Sequence, residues 1–567
     1  MFSLVFRKGR MYMNDWYNHA IIYQIYPKSF QDSNGDGIGD LNGIRQRIPY
    51  LKRLGITAVW LNPIFVSPQV DNGYDVANYF AIDESMGTMA DMDALINDFH
   101  AAGIRIILDF VLNHTSDQHP WFQDAVTSKD SIYRDYYLFA GSGNHRPNNW
   151  GSFFGGSVWS PDPAGSGQSY FHLFDQKMPD LNWANPEVRR SMGDVAEFWL
   201  KKGIDGLRLD AFIHIAKADL YQNYPVLGGD NKPVVAEPFF ANLPKVQEWL
   251  RPFCSRIRTD YPNVFLLGEA ASANVNLAAD YTNQQSKLMD AVITFRYFTD
   301  DESKLNSNIP AQYQPKAMDW FEFKRTQVVW QETLKSVSLP VLYWGNHDMA
   351  RVATRIAENT TQARSLALLM YLQRGIPIIY YGDELGLHNL KFQNVGDFND
   401  ETVASFVSKC VEAGMSQDEA LAMASLVHKL PARGLMPWDD SDNHGFSRHT
   451  PWIHGREVDT TDVFSQIHDK DSMFHFYQQL IDLKKQPLFE DGDYRLIDTS
   501  GQVYAYSRKL GSKAAIVMVS LSGDQCTVTM PYHQYRRMMS VGDYELQGQE
   551  ITLGAYAGVV LEQVKGE

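Results

Sequence analysis

Residues 105–114 read RIILDFVLNH, a nearly unbroken apolar run closed by Asn113 and His114. A strand that is apolar at consecutive positions, rather than at every second one, is buried on both faces, as parallel strands are beneath covering helices. Seven comparable runs share this texture: IIYQIY from Ile21, TAVWLNPI from Thr57, GLRLDA from Gly206, VFLLGEA from Val264, AVITFRY from Ala291, VLYWGNHD from Val341 and PIIYYGDE from Pro377. Helical stretches lie between them, so the chain is predicted to be an α/β protein built as a (β/α)8 TIM barrel.

The interval between the third and fourth runs is much longer than the others. Its stretch 115–185 is rich in Gly, Ser, Pro, Asn and aromatic residues and predicts an inserted loop-rich subdomain. A second rim insertion is expected after the eighth strand, at about 389–463. From 491 the texture changes to short alternating runs such as VYAYSR and AAIVMVSL, which predict an antiparallel β domain over 491–567. The barrel is then expected over 14–114 and 186–490, preceded by a loose tail at 1–13.

Composition narrows the function. Of 567 residues 44% are hydrophobic and 21% charged, and 51 basic against 67 acidic side chains give a net charge of −16. Such a surface repels phosphate backbones and anionic lipid, so neither nucleic acid nor a membrane is the expected partner. Cys254, Cys410 and Cys526 are too widely spaced for a disulfide framework or a zinc cluster, which suits a reducing cytoplasm. The opening MFSLVFRKGRMYM has its basic residues after the apolar run, unlike a signal peptide, and no run is long enough for a transmembrane helix.

Barrel enzymes carry their chemistry at the carboxyl ends of strands. Three carboxylates are predicted there: Asp210 ends GLRLD, Glu269 ends VFLLGE and Asp348 ends VLYWGNHD. Arg208 lies two residues before Asp210, on the same strand face, where a fixed cation would keep that carboxylate ionised. His114 and His347, also at strand ends, offer donors to hydroxyls. With no phosphate loop, nucleotide fingerprint or nucleophile elbow in the chain, this set suits a neutral polyhydroxylated substrate and no organic cofactor.

At these residues the sequence resembles the α-amylase family of glycoside hydrolases, and within it the oligo-1,6-glucosidase, dextran glucosidase and α-glucosidase group. The motifs are DFVLNH at 109–114, MPDLNW at 178–183, GLRLDA at 206–211, the GEA triplet from Gly268, NHD at 346–348 and GIPIIYYGDE at 375–384. The resemblance implies a retaining mechanism with Asp210 as nucleophile, Glu269 as general acid/base and Asp348 stabilising the transition state. A pair of carboxyl groups, one ionised and one protonated, is what retention requires, and partial burial after an apolar run would suit Glu269 to the acid role. It further implies that Asp71 and Arg433 grip a terminal glucose, hence exo action on short oligosaccharides, and that His114 and His347 bind sugar hydroxyls. Tyr74 is read as stacking on the sugar; Phe154 and Phe174 either line the site or are ordinary packing.

DSNGDGIGD at 32–40 spaces Asp32, Asn34, Asp36, the Ile38 carbonyl and Asp40 as a calcium loop would, or as an Asx and Gly turn without metal; the resemblance favours a structural calcium. In the resembling group Val after the nucleophile accompanies α-1,6 cleavage and Ala or Thr accompanies α-1,4. Ala211 stands there, with His214 three residues on, so an α-1,4-capable or broad α-glucosidase is expected, with α-1,6 hydrolysis as the alternative. A sucrose isomerase is disfavoured because its Arg-rich loop is replaced by DDESKLNSNIP, and a non-catalytic transporter subunit because all three carboxylates are retained. A trehalose-6-phosphate hydrolase would need a cation such as Lys217 for its phosphate.

Overall fold

The computed structural model describes residues 15–564 except 144, 227–231, 304, 457, 459–460, 500 and 532–533. It also describes the backbone of a small hairpin pairing Phe6–Arg7 with Arg10–Met11; the rest of the expected tail at 1–13 lies outside the described residues. The eight predicted runs form β1 (Ile22–Ile25), β2 (Ala58–Leu61), β3 (Arg105–Val111), β4 (Gly206–Asp210), β5 (Phe265–Glu269), β6 (Ala291–Ile293), β7 (Val341–Leu342) and β8 (Ile376–Tyr380). All belong to one sheet of order β6-β5-β4-β3-β2-β1-β8-β7, the order of a (β/α)8 TIM barrel. The pairs β3–β4, β4–β5, β5–β6, β7–β8 and β8–β1 are parallel.

The chain divides into two compact units: Trp60–Arg296 with Ser336–Ser338, and the described residues of Met1–Val59, Tyr297–Lys335 and Leu339–Glu567. In the first, helices α2 (Met89–Ala101) and α3 (Pro186–Lys202) follow β2 and β3, and α4 (Pro244–Asp260) follows β4. Their ends are written locally. Thr88 and Asp91 form a capping box on α2, and Asn185 caps α3, which stops at Gly203 with φ 110°.

The stretch 115–185 carries a three-stranded antiparallel sheet of Phe139–Ala140, Ser169–Phe171 and Trp159–Pro161. Its core joins Trp150, Val158, Trp159 and Phe171 to Ala236 and Phe240, which lie in the segment between β4 and α4. That segment is zipped to the insertion through Gly151 N–H to Val234 O (2.7 Å), Asn148 Nδ2 to Leu220 O (2.9 Å) and Asn149 Nδ2 to Tyr224 O (2.9 Å). The subdomain therefore draws on a second piece of chain beyond 185, because its own apolar residues are too few to close a core without Phe240 and its neighbours.

In the other unit, the second insertion contains helices α8 (Glu401–Glu412) and α9 (Gln417–Val427), closed by a core of Phe398, Val403, Phe406, Leu421 and Ala424. Helix α7 (Thr360–Tyr371) precedes β8. After α10 (Met473–Lys484), a five-stranded antiparallel sheet and a three-stranded one span Asp493–Ile497 to Gly558–Gln563. This sheet is tied to the carboxyl end of α7, where Arg508 Nη1 donates to Leu372 O (2.6 Å) and Tyr506 Oη to Leu369 O (2.9 Å). A buried cation on helix-terminal carbonyls satisfies groups that would otherwise lack partners. No helix among the described residues is long and apolar enough to cross a membrane.

The turn after β8 buries two adjacent carboxyls. Glu384 accepts from Tyr23 Oη (2.7 Å) and Tyr50 Oη (2.5 Å), whereas Asp383 has Arg351 Nη1 at 3.7 Å. Burial pushes Asp383 up to about 7; Arg351 opposes the rise and Glu384 adds to it. A carboxyl whose folded pKa exceeds its unfolded value contributes stability that is fully present below the unfolded value and is lost as pH rises to the folded one, at roughly 1.4 kcal/mol per pH unit between the two. Unfolding midpoints measured from pH 4 to pH 9 are therefore expected to fall between about pH 4 and about pH 7 and to level off above it, and Asp383→Asn to flatten the falling part of the curve.

Candidate active site

Strand register assembles the first half of the site. Parallel pairing sets Arg208 of β4 opposite Asp109 of β3 and opposite Leu267 of β5, and Leu209 opposite Gly268. Side chains alternate faces along a strand, so Asp109, Arg208 and Asp210 share one face, and Glu269 follows at the level of Asp210. The Arg208 guanidinium, 2% exposed, meets all three carboxylates: Nη1 bonds Asp109 Oδ1 at 2.8 Å and also Asp210 Oδ1, while Nη2 lies 3.0 Å from Glu269 Oε2. Asp109 is braced by Trp60 Nε1 (3.0 Å) and Tyr74 Oη (3.0 Å), and Asn62 Nδ2 donates to Tyr74 Oη (2.8 Å).

One guanidinium divided among three carboxylates does not neutralise them. Burial pushes the Asp210 carboxyl well above the usual carboxylate range; Arg208 pulls it down, but Glu269 and Asp109 push it up again. Arg208 thus favours the ionised form of Asp210, as expected of a fixed cation, while burial and the neighbouring carboxylates oppose it. Ala211 follows in the left-handed region at φ 48°, and its N–H donates to Glu269 Oε2 at 3.1 Å. A β-branched side chain is strained at such a φ, which suits alanine to this position. Gly268 is equally constrained, because a Cβ there would stand 2.6 Å from Phe212 Cε1, against ring packing on the strand's flank.

Around this pair the same unit presents His114, Phe174, Phe154 and His214. His114 is buried, and burial lowers its pKa, leaving a neutral ring 5.1 Å from the ring of Phe174. Phe174 is half-buried and meets Phe154 edge-on at 5.7 Å, Phe154 being 42% exposed and therefore not core packing. His214 is held through Nδ1 on Phe240 O (2.9 Å), with its pKa pushed down to about 4 by burial. Tyr74 is placed on Arg208, 5.9 Å from guanidinium to ring, and Asp71 opens the turn closed by Tyr74 N–H to Asp71 O at 3.1 Å. The buried Asp75 holds that turn by accepting from Asp71 N (3.0 Å), Val70 N (2.9 Å) and Ser67 Oγ (2.8 Å).

Lys217 is not available to a phosphate. Its ammonium is buried and bonded to Asp180 Oδ2 (2.5 Å), Asn113 Oδ1 (2.9 Å) and His214 O (2.5 Å). Asp180 of the MPDLNW motif also accepts from Asn113 Nδ2 (2.8 Å) and Leu173 N (2.9 Å), so this ion pair pins the insertion to the ends of β3 and β4.

The other unit holds Asp348, His347 and Arg433. Strand β7 ends at Leu342, and Asp348 stands in the loop beyond it rather than at the strand's last residue. Asp348 Oδ2 lies 3.0 Å from His347 Nε2, and Oδ1 lies 3.2 Å from Arg433 Nη2 and 3.4 Å from Lys429 Nζ. Burial would raise this carboxyl, but His347, Lys429 and Arg433 outweigh it and hold Asp348 well below the usual carboxylate range. His347 is set between Asp348 and the Gln24 amide, with Nδ1 2.8 Å from Gln24 Nε2. Arg433, expected to face a sugar, is 1% exposed and braces this loop, donating to His347 O (2.9 Å) and Tyr26 Oη (3.3 Å).

Asp109, Trp60, Asn62, Gln24 and Lys429 were not foreseen as site residues. Asp109 had a signal in the sequence, being the charged residue inside an apolar strand, but only register reveals that it faces Arg208. The loop 32–40 closes on itself. Asp32 accepts from Asn34 N, Gly35 N, Gly37 N and Ser447 Oγ, Asp40 from Ser33 N, Ser33 Oγ and Gly43 N, Asn34 from Asp36 N, and Asp36 from Ile38 N. These oxygens are engaged by donors within the loop and by Ser447, and among the described residues no group of three or more His, Cys, Asp or Glu side chains is arranged to hold a metal ion.

Residues 24–492 match the family described as Alpha amylase, catalytic domain. The chain is 36% identical over 531 residues to an oligo-1,6-glucosidase of Parageobacillus thermoglucosidasius, covering 91% of this chain and 92% of that one. It is 33% identical over 569 residues to a trehalose-6-phosphate hydrolase of Bacillus subtilis (strain 168), covering 97% and 98%. A solved structure described as a Family GH13_31 enzyme has a TM-score of 0.91 and 64% identity, covering 97% of this chain and 100% of that one. With carboxylates on neighbouring parallel strands and a family match that runs from β1 to the start of the C-terminal sheet, the chain belongs to the α-amylase family and is a glycoside hydrolase.

Proposed function

We propose that this hydrolase is an exo-acting, retaining α-glucosidase that releases terminal glucose from short oligosaccharides by cutting α-1,6 bonds. The observation that carries the retaining chemistry is the Asp210 and Glu269 pair on one buried guanidinium. The relatives' name oligo-1,6-glucosidase favours the α-1,6 bond over the α-1,4-capable activity expected from Ala211. In the first step an Asp210 oxygen attacks C1 of the glucosyl unit, the C1–O bond breaks, and Glu269 gives its proton to the leaving oxygen. Water then attacks C1, Glu269 takes the water's proton, and the ester to Asp210 is broken.

Asp348, held ionised, would stabilise the positive charge that develops at the ring. His114 and His347 would donate to sugar hydroxyls, Asp71 would grip a terminal glucose, and Phe154 and Phe174 would offer ring faces. Tyr74 and Arg208 serve by keeping Asp109, Asp210 and Glu269 in register, and Arg433 by bracing Asp348. No step runs through a metal or an organic cofactor. A phosphorylated disaccharide is the weaker reading, because Lys217 is consumed by Asp180.

Assayed against isomaltose, maltose, nigerose, kojibiose, sucrose and trehalose 6-phosphate, the enzyme is expected to show its highest kcat/KM on isomaltose. Faster cleavage of maltose would restore the α-1,4 reading, isomaltulose made from sucrose would make it an isomerase, and no glucose from any of them would defeat the proposal. Asp210→Asn is expected to lower kcat by more than about a thousandfold with the unfolding midpoint retained. Arg208→Met is expected to lose both activity and about 3–5 kcal/mol of stability, since it leaves buried carboxylates without their cation; denaturant titration measures the second effect.

A further inference from the structure

Asp348 faces two cations, and they are held in different ways. Arg433 is buried and spends its other nitrogens on His347 O and Tyr26 Oη. Lys429 has a side chain 34% exposed, with Nζ 3.4 Å from the same Oδ1. A lysine on a surface loop ordinarily loses such a contact to its own rotamer freedom. Here the backbone that carries it is locked from behind. The N–H of Leu430 donates to His428 Nδ1 at 3.1 Å, which puts the ring proton on Nε2, and Nε2 lies 3.2 Å from Asp400 Oδ2.

Asp400 is the N-cap of α8. It accepts from Thr402 N (2.8 Å), Thr402 Oγ1 (2.7 Å) and Tyr313 Oη (3.1 Å). The rings of Phe398 and Tyr313 pack on His428 at 5.3 and 5.7 Å. A continuous path of hydrogen bonds and ring contacts therefore runs from the first turn of the second insertion, through His428, to the residue that carries the ammonium.

We propose that Lys429 is a positioning residue for the hydrolytic reaction, its ammonium held by the Asp400–His428 link so that the Asp348 carboxylate keeps one orientation while charge develops on the substrate. This rests on the reading of Asp348 as the carboxylate that stabilises the transition state. It gives the second insertion a function: helix α8 supplies, through its N-cap, the support for one of the two cations on that carboxylate. The groups facing Asp348 are His347, Arg433 and Lys429, so removing Lys429 leaves the carboxylate on the other two and easier to protonate.

The test uses the full chain with isomaltose and with 4-nitrophenyl α-glucoside. Lys429→Met is expected to lower kcat about 10- to 100-fold with KM changed less than about threefold, and to move the acid limb of the kcat/KM profile to higher pH. Lys429→Arg is expected to restore most of the rate and the original acid limb. His428→Phe, which keeps the ring and breaks the link, is expected to give a smaller loss of kcat in the same direction. A Lys429→Met enzyme with kcat within twofold of the parent, an unmoved acid limb, or no recovery in Lys429→Arg overturns the proposal; should Lys429→Met fold poorly by its unfolding midpoint, Lys429→Gln takes its place in the same comparison. Asp348→Asn separates the two readings: if it retains its rate, the role of Asp348 itself falls, whereas an inactive Asp348→Asn beside an unaffected Lys429→Met removes the role of Lys429 alone.

Discussion

The site depends on one buried guanidinium. Arg208 sits in β4 with a carboxylate on the strand before it, one two residues ahead of it and one on the strand after it. An arginine can serve three carboxylates at once because its planar fork carries five donors and does not lose its proton on burial. The arrangement leaves an excess of negative charge in a buried site, and burial with the two neighbouring carboxylates pushes the Asp210 carboxyl up.

The second requirement is to hold loops against strands. The Lys217 and Asp180 pair does this for the first insertion, joining MPDLNW to the ends of β3 and β4 with both charges buried and every nearby oxygen engaged. The insertion in turn shares its core with the segment between β4 and α4, and Phe174, packed against that core, meets both His114 and Phe154. In the other unit, the His428 and Asp400 contact plays the comparable part for Lys429 and the loop bearing Asp348. Both supports are ion pairs or hydrogen bonds at the feet of loops, where a single side chain can set the path of many residues.

Much of the fold is legible in the sequence because its rules are local. Continuous apolar runs such as RIILDFV are strands covered on both sides, and Asn185, Pro186 and Gly203 mark the start and stop of a helix with no outside help. The motifs GLRLDA and GEA mark the carboxyl ends of β4 and β5 for the same reason. The limits of the first insertion were less legible, since Phe240 and Ala236 join its core from another stretch of chain that carries no mark of belonging to it. Arg433 could be recognised by its motif, but nothing local says that its fork is spent on a loop carbonyl and on Tyr26.

The amino-acid sequence by itself determined the barrel and the order of its strands, because periodicity, capping and strand ends are written within a few residues. Only the tertiary structure decided which charges share a partner. That Asp109 and Glu269 flank Arg208 follows from parallel register, that Lys217 is consumed by Asp180 follows from the path of an insertion, and that Asp348 keeps two cations follows from a turn locked by a helix cap. Electrostatic energies in a poorly solvated interior depend on separations of a few ångströms between groups distant in the chain, and such separations exist only once the chain is folded.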